Sequence, residues 1–161
     1  MSIYVKIKGI RGNVTTKSYE GAIELKTLNL GAQRVVTMKT GSSSNRQIGL
    51  PNLQEIEIEK ELDSSSSDLW ARFLNGTSIP KVEIDFCDTS DLSAPPYLSY
   101  ELENVMISSF INMAEHSNLK SWEIIRLSYT NLWTSFWPRD AANKVGTPKR
   151  VGYSLETSSI L

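Results

Sequence analysis

Apolar residues along this chain recur at every second position, the period of a half-buried β-strand. Ile3, Val5 and Ile7 share a face, with Lys6 and Lys8 opposite. Ile23 and Leu25, Ile56 and Ile58 with Leu62, and Val82, Ile84 and Phe86 repeat the pattern. So do Leu98, Tyr100 and Leu102, Ile125, Leu127 and Tyr129, and finally Val151, Tyr153 and Leu155. In three places the phase slips by one residue. Leu25 gives way to Leu28 and Leu30 near Lys26-Thr27, Leu102 to Val105 and Ile107 near Glu103-Asn104, and Tyr129 to Leu132 and Phe136. A one-residue slip sends the apolar set to the other face unless the strand bulges or bends. About eight strands with repeated slips predict sharply bent sheets, as in a small barrel or an orthogonal sandwich.

One segment carries the helical period instead. Ser64 to Ser67 precede Asp68, and Leu69, Trp70 and Phe73 fall on one face before Gly76. A serine there can offer the N-cap oxygen, Asp68 suits the positive end of the helix dipole, and Gly76 suits a left-handed stop. Two turns of helix need a surface to dock on. Residues 31–52 resist both periods. They are rich in Gly, Ser, Asn, Thr and Gln, and read as a long extended connection of the kind usually kept for function. Arg139 to Pro148 reads as a polar connection before the last strand. There is no internal repeat, so residues 1–161 read as a single domain.

Composition narrows the function. Lys and Arg number 17 against 18 Asp and Glu, a net charge of −1. The basic footprint of a nucleic-acid binder is absent. Cys87 and His116 stand alone in their types, which leaves no disulfide within the chain and no Cys/His metal cluster. No apolar run reaches the length of a membrane span, and the N-terminus alternates where a signal peptide would be continuously apolar. The expectation is a chain with no cofactor, no nucleic-acid partner and no membrane insertion.

The candidate sites are few. Glu55, Glu57, Glu59 and Glu61 form a carboxylate stripe. Neighbours on it stand roughly 6.5–7 Å apart by strand rise, a spacing glycosidase pairs use. A uniform stripe is more simply a solvated or partner-facing strand. Lys60 falls on the apolar side of that stripe and must snorkel or find a carboxylate, with Asp63 nearby. Serines 42–44 follow Gly41 without a nucleophile elbow, and Gly9-Ile10-Arg11-Gly12 reads as a turn, since no Gly-Lys-Ser/Thr follows it. Trp70, Trp122, Trp133 and Trp137 could stack a ligand such as a glycan, although strand aromatics usually serve a core or an interface. Glutamates in the stripe and Arg34, Lys39 and Arg46 in the long connection put opposite charges on different surfaces.

The order of motifs resembles a family. Ile23-Glu24-Leu25 is followed by Gly31 and a long Gly/Ser connection, then Ile56-x-Ile58-x-Lys60-x-Leu62-Asp63. A serine-rich helix start leads to Leu69 and Gly76. Asn104-Val105-x-Ile107-Ser108-Ser109 and Glu123-x-Ile125-x-Leu127-Ser128-Tyr129 complete the set. Nearly end to end, this resembles Hcp, the tube protein of the bacterial type VI secretion system. Ser67 stands where the family often has proline, Asn13 where an acid is common and Tyr19 where a histidine is common.

The resemblance implies a mainly β fold: a small β-barrel of two packed antiparallel sheets, one short α-helix and a long extended loop. It implies a non-catalytic subunit that partners itself in homohexameric, stacked rings, within a contractile sheath and under a VgrG-type spike. Such a subunit leaves the bacterial cytoplasm without a signal peptide and carries effector proteins in its lumen. Glu24, Thr27 and Asn29 would face that lumen. Arg34, Lys39, Ser42, Ser43, Ser44 and Arg46 would belong to an arm reaching a neighbour. Lys60, Asp63, Ser66 and Gly76 would form the fold motif. A free-standing glycan-binding sandwich and a hydrolase built on Glu55 and Glu57 are the rival readings.

Overall fold

A computed structural model describes residues 1–37, 40–41, 47–88, 95–116, 120–142 and 144–161. The fold is mainly β, with one helix among the described residues. In chain order the elements are β1 (Ser2–Ile7), β2 (Ile23–Leu25), β3 (Thr27–Asn29), β4 (Ala32–Thr37), β5 (Gln47–Leu53), β6 (Ile56–Glu61), α1 (Ser66–Asn75), β7 (Ile79–Cys87), β8 (Leu98–Met113), β9 (Trp122–Ser128), β10 (Asn131–Phe136), β11 (Lys149–Ser154) and β12 (Ser159–Ile160). All strand pairings are antiparallel.

The three phase slips are the corners of the barrel. β2 pairs with β1, but β3, one residue later, pairs with β6. β8 pairs with β7 and β10 through its first half and with β9 from Met106 onward. At the change stands Asn104, in the left-handed region at φ 51°. An asparagine tolerates that conformation better than other branched or bulky residues would. β9 and β10, separated by Tyr129 and Thr130, also lie on different faces. The circuit β1–β7–β8–β9–β6–β3/β2–β1 therefore closes, which removes most open edges. β10, β11 and β12 extend the β7–β8 face beyond the closed part. At Lys26 the structure shows a change of sheet, where the sequence suggested a bulge.

Inside lie Val5, Ile56, Val82, Ile84, Leu102, Val105, Ile125 and Leu127, none of them exposed. The outward side of β1 is covered in turn by the segment after it, where Tyr19 stacks on Tyr4 at 4.6 Å beside Cys87. Burial pushes the Tyr19 phenol and the Cys87 thiol above their usual ranges. Leu62 departs from expectation: it lies past the end of β6 and is exposed.

α1 docks by Leu69, which is buried, and by Phe73, which packs on the core. Trp70 is partly exposed and meets Phe110 of β8 edge-on at 5.1 Å. Gly76 ends the helix at φ 60°. Its N–H donates to the Phe73 carbonyl and that of Thr77 to Arg72, a Schellman closure. The start differs from the sequence reading. Ser65 occupies the N-cap position without a side-chain cap bond. The serine hydroxyls are engaged elsewhere, as described below.

Gly152 is required by close approach. It faces Trp133 across β10 and β11, and a Cβ there would stand inside contact distance of the indole. The Arg150 guanidinium also lies over that ring, 4.5 Å from its centroid. Gly152→Ala is expected to displace the indole at a cost of about 1–3 kcal/mol, read as a lower thermal midpoint.

Candidate functional surfaces

Three features stand out on this barrel: a buried ionic lock, an outward four-stranded face, and a projecting ribbon. The lock follows from strand parity. Ile56, Ile58 and Lys60 point inward from β6, and Lys60 is fully buried. Its register partner on β9 is Glu123, 1% exposed, whose Oε2 lies 2.7 Å from Lys60 Nζ. Asp63 Oδ1 lies 2.9 Å from the same ammonium. Lys60 Nζ also donates to Ser66 Oγ at 3.0 Å and to the Glu61 carbonyl at 2.9 Å. Ser66 Oγ accepts the Asp63 N–H and donates to Glu123 Oε2 at 2.9 Å. The Asp63 carboxylate accepts both the N–H and the hydroxyl of Ser65.

The charges are thus paired and hydrogen-bonded, the condition for burying them at all. The network ties the first turn of α1 to β6 and β9. It also explains the missing serine cap: Ser66 bonds into the lock and Ser65 bonds to Asp63. Sequence reasoning found Lys60 and Asp63 but missed Glu123. Its signal was available, since Glu123 has the inward parity of Ile125 and Leu127.

The outward face is formed by β3, β6, β9 and the second half of β8. Pairing aligns Asn29, Glu57, Arg126 and Ser109 in one row, and Thr27, Glu59, Ile124 and Ile111 in the next. Beyond them Glu61, Trp122 and Met113 form a third. Directly opposed residues in antiparallel strands share a face. Arg126 Nε donates to Glu57 at 2.8 Å, Lys120 pairs with Glu61 at 2.9 Å, and the Thr27 hydroxyl donates to Glu59 at 3.2 Å. Ser108, at the irregularity in β8, donates to Glu55 at 2.8 Å.

Thr27 and Asn29 therefore stand together on this face. Glu24 does not. It lies on β2 opposite Tyr4 and borders a recess shared with Lys26, Glu61 and Lys120. Three of the four tryptophans are already engaged. The Lys26 ammonium sits 2.9 Å from the centroid of Trp122, Trp133 lies under Arg150, and Trp70 meets Phe73 and Phe110. Glu55 and Glu57, the hydrolase candidates, are held on the outward surface by Ser108 and Arg126.

The third feature replaces the long loop. The described residues of the span 31–52 lie largely in a two-stranded sheet of β4 and β5, separate from the barrel sheet. Val36 faces Ile48 across it, and the register shifts between Arg34 and Val36. Every residue of β4 is exposed, and Val35, Val36, Ile48 and Leu50 are between 52% and 70% exposed. Arg34 lies on β4. Lys39, Ser42, Ser43, Ser44 and Arg46 fall outside the described residues.

A closed barrel with one locked helix, a projecting ribbon and a four-stranded outward face makes this chain a small β-barrel protein. The family model described as type VI secretion system effector, Hcp, matches residues 4–136, and the chain belongs to that family. Solved structures share the whole fold. One described as a type six secretion system protein superposes with a TM-score of 0.91 at 22% identity, over 99% of each chain. Hcp1 from Salmonella typhimurium gives 0.78 at 18% identity, over 99% of this chain and 98% of its own. A type VI secretion system effector from Yersinia pestis gives 0.73 at 17%, over 95% and 99%. At these identities the likeness is one of fold. No curated protein sequence matches the chain.

Proposed function

We propose that this chain is a non-catalytic, single-domain subunit of a type VI secretion tube, assembling into hexameric rings that stack and carry effector proteins in the lumen. The observation that carries this reading is the pair of edges on the four-stranded face. Among the described residues, β3 pairs only with β6, and residues 106–113 of β8 pair only with β9. An unpaired edge is a template for another strand. The two edges differ, so the contact between copies is heterologous, and a heterologous contact closes into a ring when its rotation permits.

The ribbon supports the stacking half of the proposal. It exposes apolar side chains that the barrel to which it belongs does not cover, as an arm that docks on a neighbouring copy would. In this reading the subunit is made in the bacterial cytoplasm, joins a sheath and a VgrG-type spike, and is expelled from the cell. The engagement of three of the four tryptophan rings argues against the glycan-binding alternative, and a carboxylate pair held by Arg126 and Ser108 argues against the hydrolase. Sedimentation velocity across a range of protein and salt concentrations tests the reading. The expected species has the mass of a hexamer of 18.0 kDa protomers or a multiple of it. Protomers alone at every concentration would overturn the proposal.

A further inference from the structure

The four-stranded face is not uniform. Its β3 and β6 side is polar and acidic. Its β9 and β8 side carries Trp122, Ile124, Ile111 and Met113 in two adjacent rows, with Ile111 and Met113 47% and 51% exposed. Strand pairing at the two edges adds neighbours in the plane of the sheet and leaves outward side chains uncovered. A second copy paired through those edges therefore does not bury this patch, so its occupant is something else.

The charges beside it say what. Of the four stripe carboxylates, Glu57 and Glu61 have cations, Arg126 and Lys120. Glu59 and Glu55 hold only hydroxyls, those of Thr27 and Ser108, among the described residues. Lys26 lies over the Trp122 ring and forms no ion pair with the stripe among the described residues. Each subunit thus presents an apolar patch beside two carboxylates, Glu59 and Glu55, that have no ion-pair partner among the described residues.

We propose that this face takes a polypeptide segment with an apolar side and a cationic side, the apolar side lying on Ile111, Met113 and Ile124 and the cations toward Glu59 and Glu55. This inference rests on the tube reading, in which the face lines the lumen, and it assigns the cargo chemistry to the β8–β9 side in addition to Thr27 and Asn29. Repetition around a ring multiplies a weak contact by avidity when one cargo engages several subunits.

The test uses three synthetic peptides of about 18 residues, five helical turns each. One carries a leucine face and a lysine face, one leucine and glutamate, one serine and lysine. Binding to the purified assembled protein is read by fluorescence anisotropy, with electron microscopy of the same samples for assembly. The leucine–lysine peptide is expected to bind, and more weakly as salt rises. The Ile111→Ser/Met113→Ser variant is expected to lose about tenfold in its affinity, since two apolar contacts are removed. Glu59→Lys is expected to weaken it while leaving the rings intact.

Equal binding of the serine–lysine peptide, or an unchanged affinity in Ile111→Ser/Met113→Ser, overturns the apolar half. Equal binding of the leucine–glutamate peptide overturns the charge half. Either outcome with intact rings leaves the tube reading standing. Binding as expected by a protein that never forms rings would instead defeat the tube reading and keep the cargo chemistry.

Discussion

Lys60→Met should unfold about 3–5 kcal/mol more easily than the wild-type protein, a fall in Tm on the order of 10 °C. The substitution fits the site in length but removes the only cation of the lock. Glu123 would then remain 1% exposed, with Ser66 as its remaining hydrogen-bond donor. Asp63, near the surface, would lose its ammonium partner as well. Most of the cost is the charge left behind, which gives the prediction its second arm. In Lys60→Met/Glu123→Leu both charges go, and most of the lost stability should return, because a buried ion pair is often no better than well-packed apolar residues. Urea unfolding of the two variants checks this. Equal destabilisation of single and double variants would show that the lock contributes through its geometry, not through charge compensation. The consequence for function is local order: Lys60 and Glu123 join the two central strands of the outward face and anchor the helix.

The Val36→Lys/Ile48→Glu variant should keep the subunit's Tm and lose its higher assemblies. The two residues are opposite one another and more than half exposed. Exchanging them for an opposite-charge pair preserves a cross-strand partnership while removing the apolar surface. Exposed substitutions of this kind usually change stability by less than about 0.5 kcal/mol. If the ribbon docks on a neighbour, two apolar side chains worth about 1.5–3 kcal/mol each when buried are lost at every contact. Rings or stacks should then dissociate at least a hundredfold more readily in dilution series by mass photometry. An unchanged dilution profile would remove the ribbon from the assembly contacts.

What the sequence made legible has a physical pattern. The core strands were readable because one face of each is buried, and burial writes a period of two. The three corners were readable for the same reason, since leaving one sheet for another shifts the buried parity. The ribbon was not readable as strands. With every residue of β4 exposed, no face selects apolar residues, and no period results. Lys60 was visible as a charge in an apolar phase, but its main partner is 63 positions away, and only the pairing of β6 with β9 joins them. The helix stop at Gly76 follows from local conformation. The helix start does not, because the lock diverts Ser66 and the Asp63 carboxylate holds Ser65. The edge positions of β3 and β8, on which the assembly reading depends, exist only once the strand order is known.

Electron cryomicroscopy of the purified protein tests that reading most directly. The account predicts a six-fold ring in which β3 of one copy lies beside residues 106–113 of the next, with Thr27, Asn29 and Ile111 facing the bore. A ring whose bore is lined by the β7–β8–β10 face, or a sample holding only separate barrels, would contradict it.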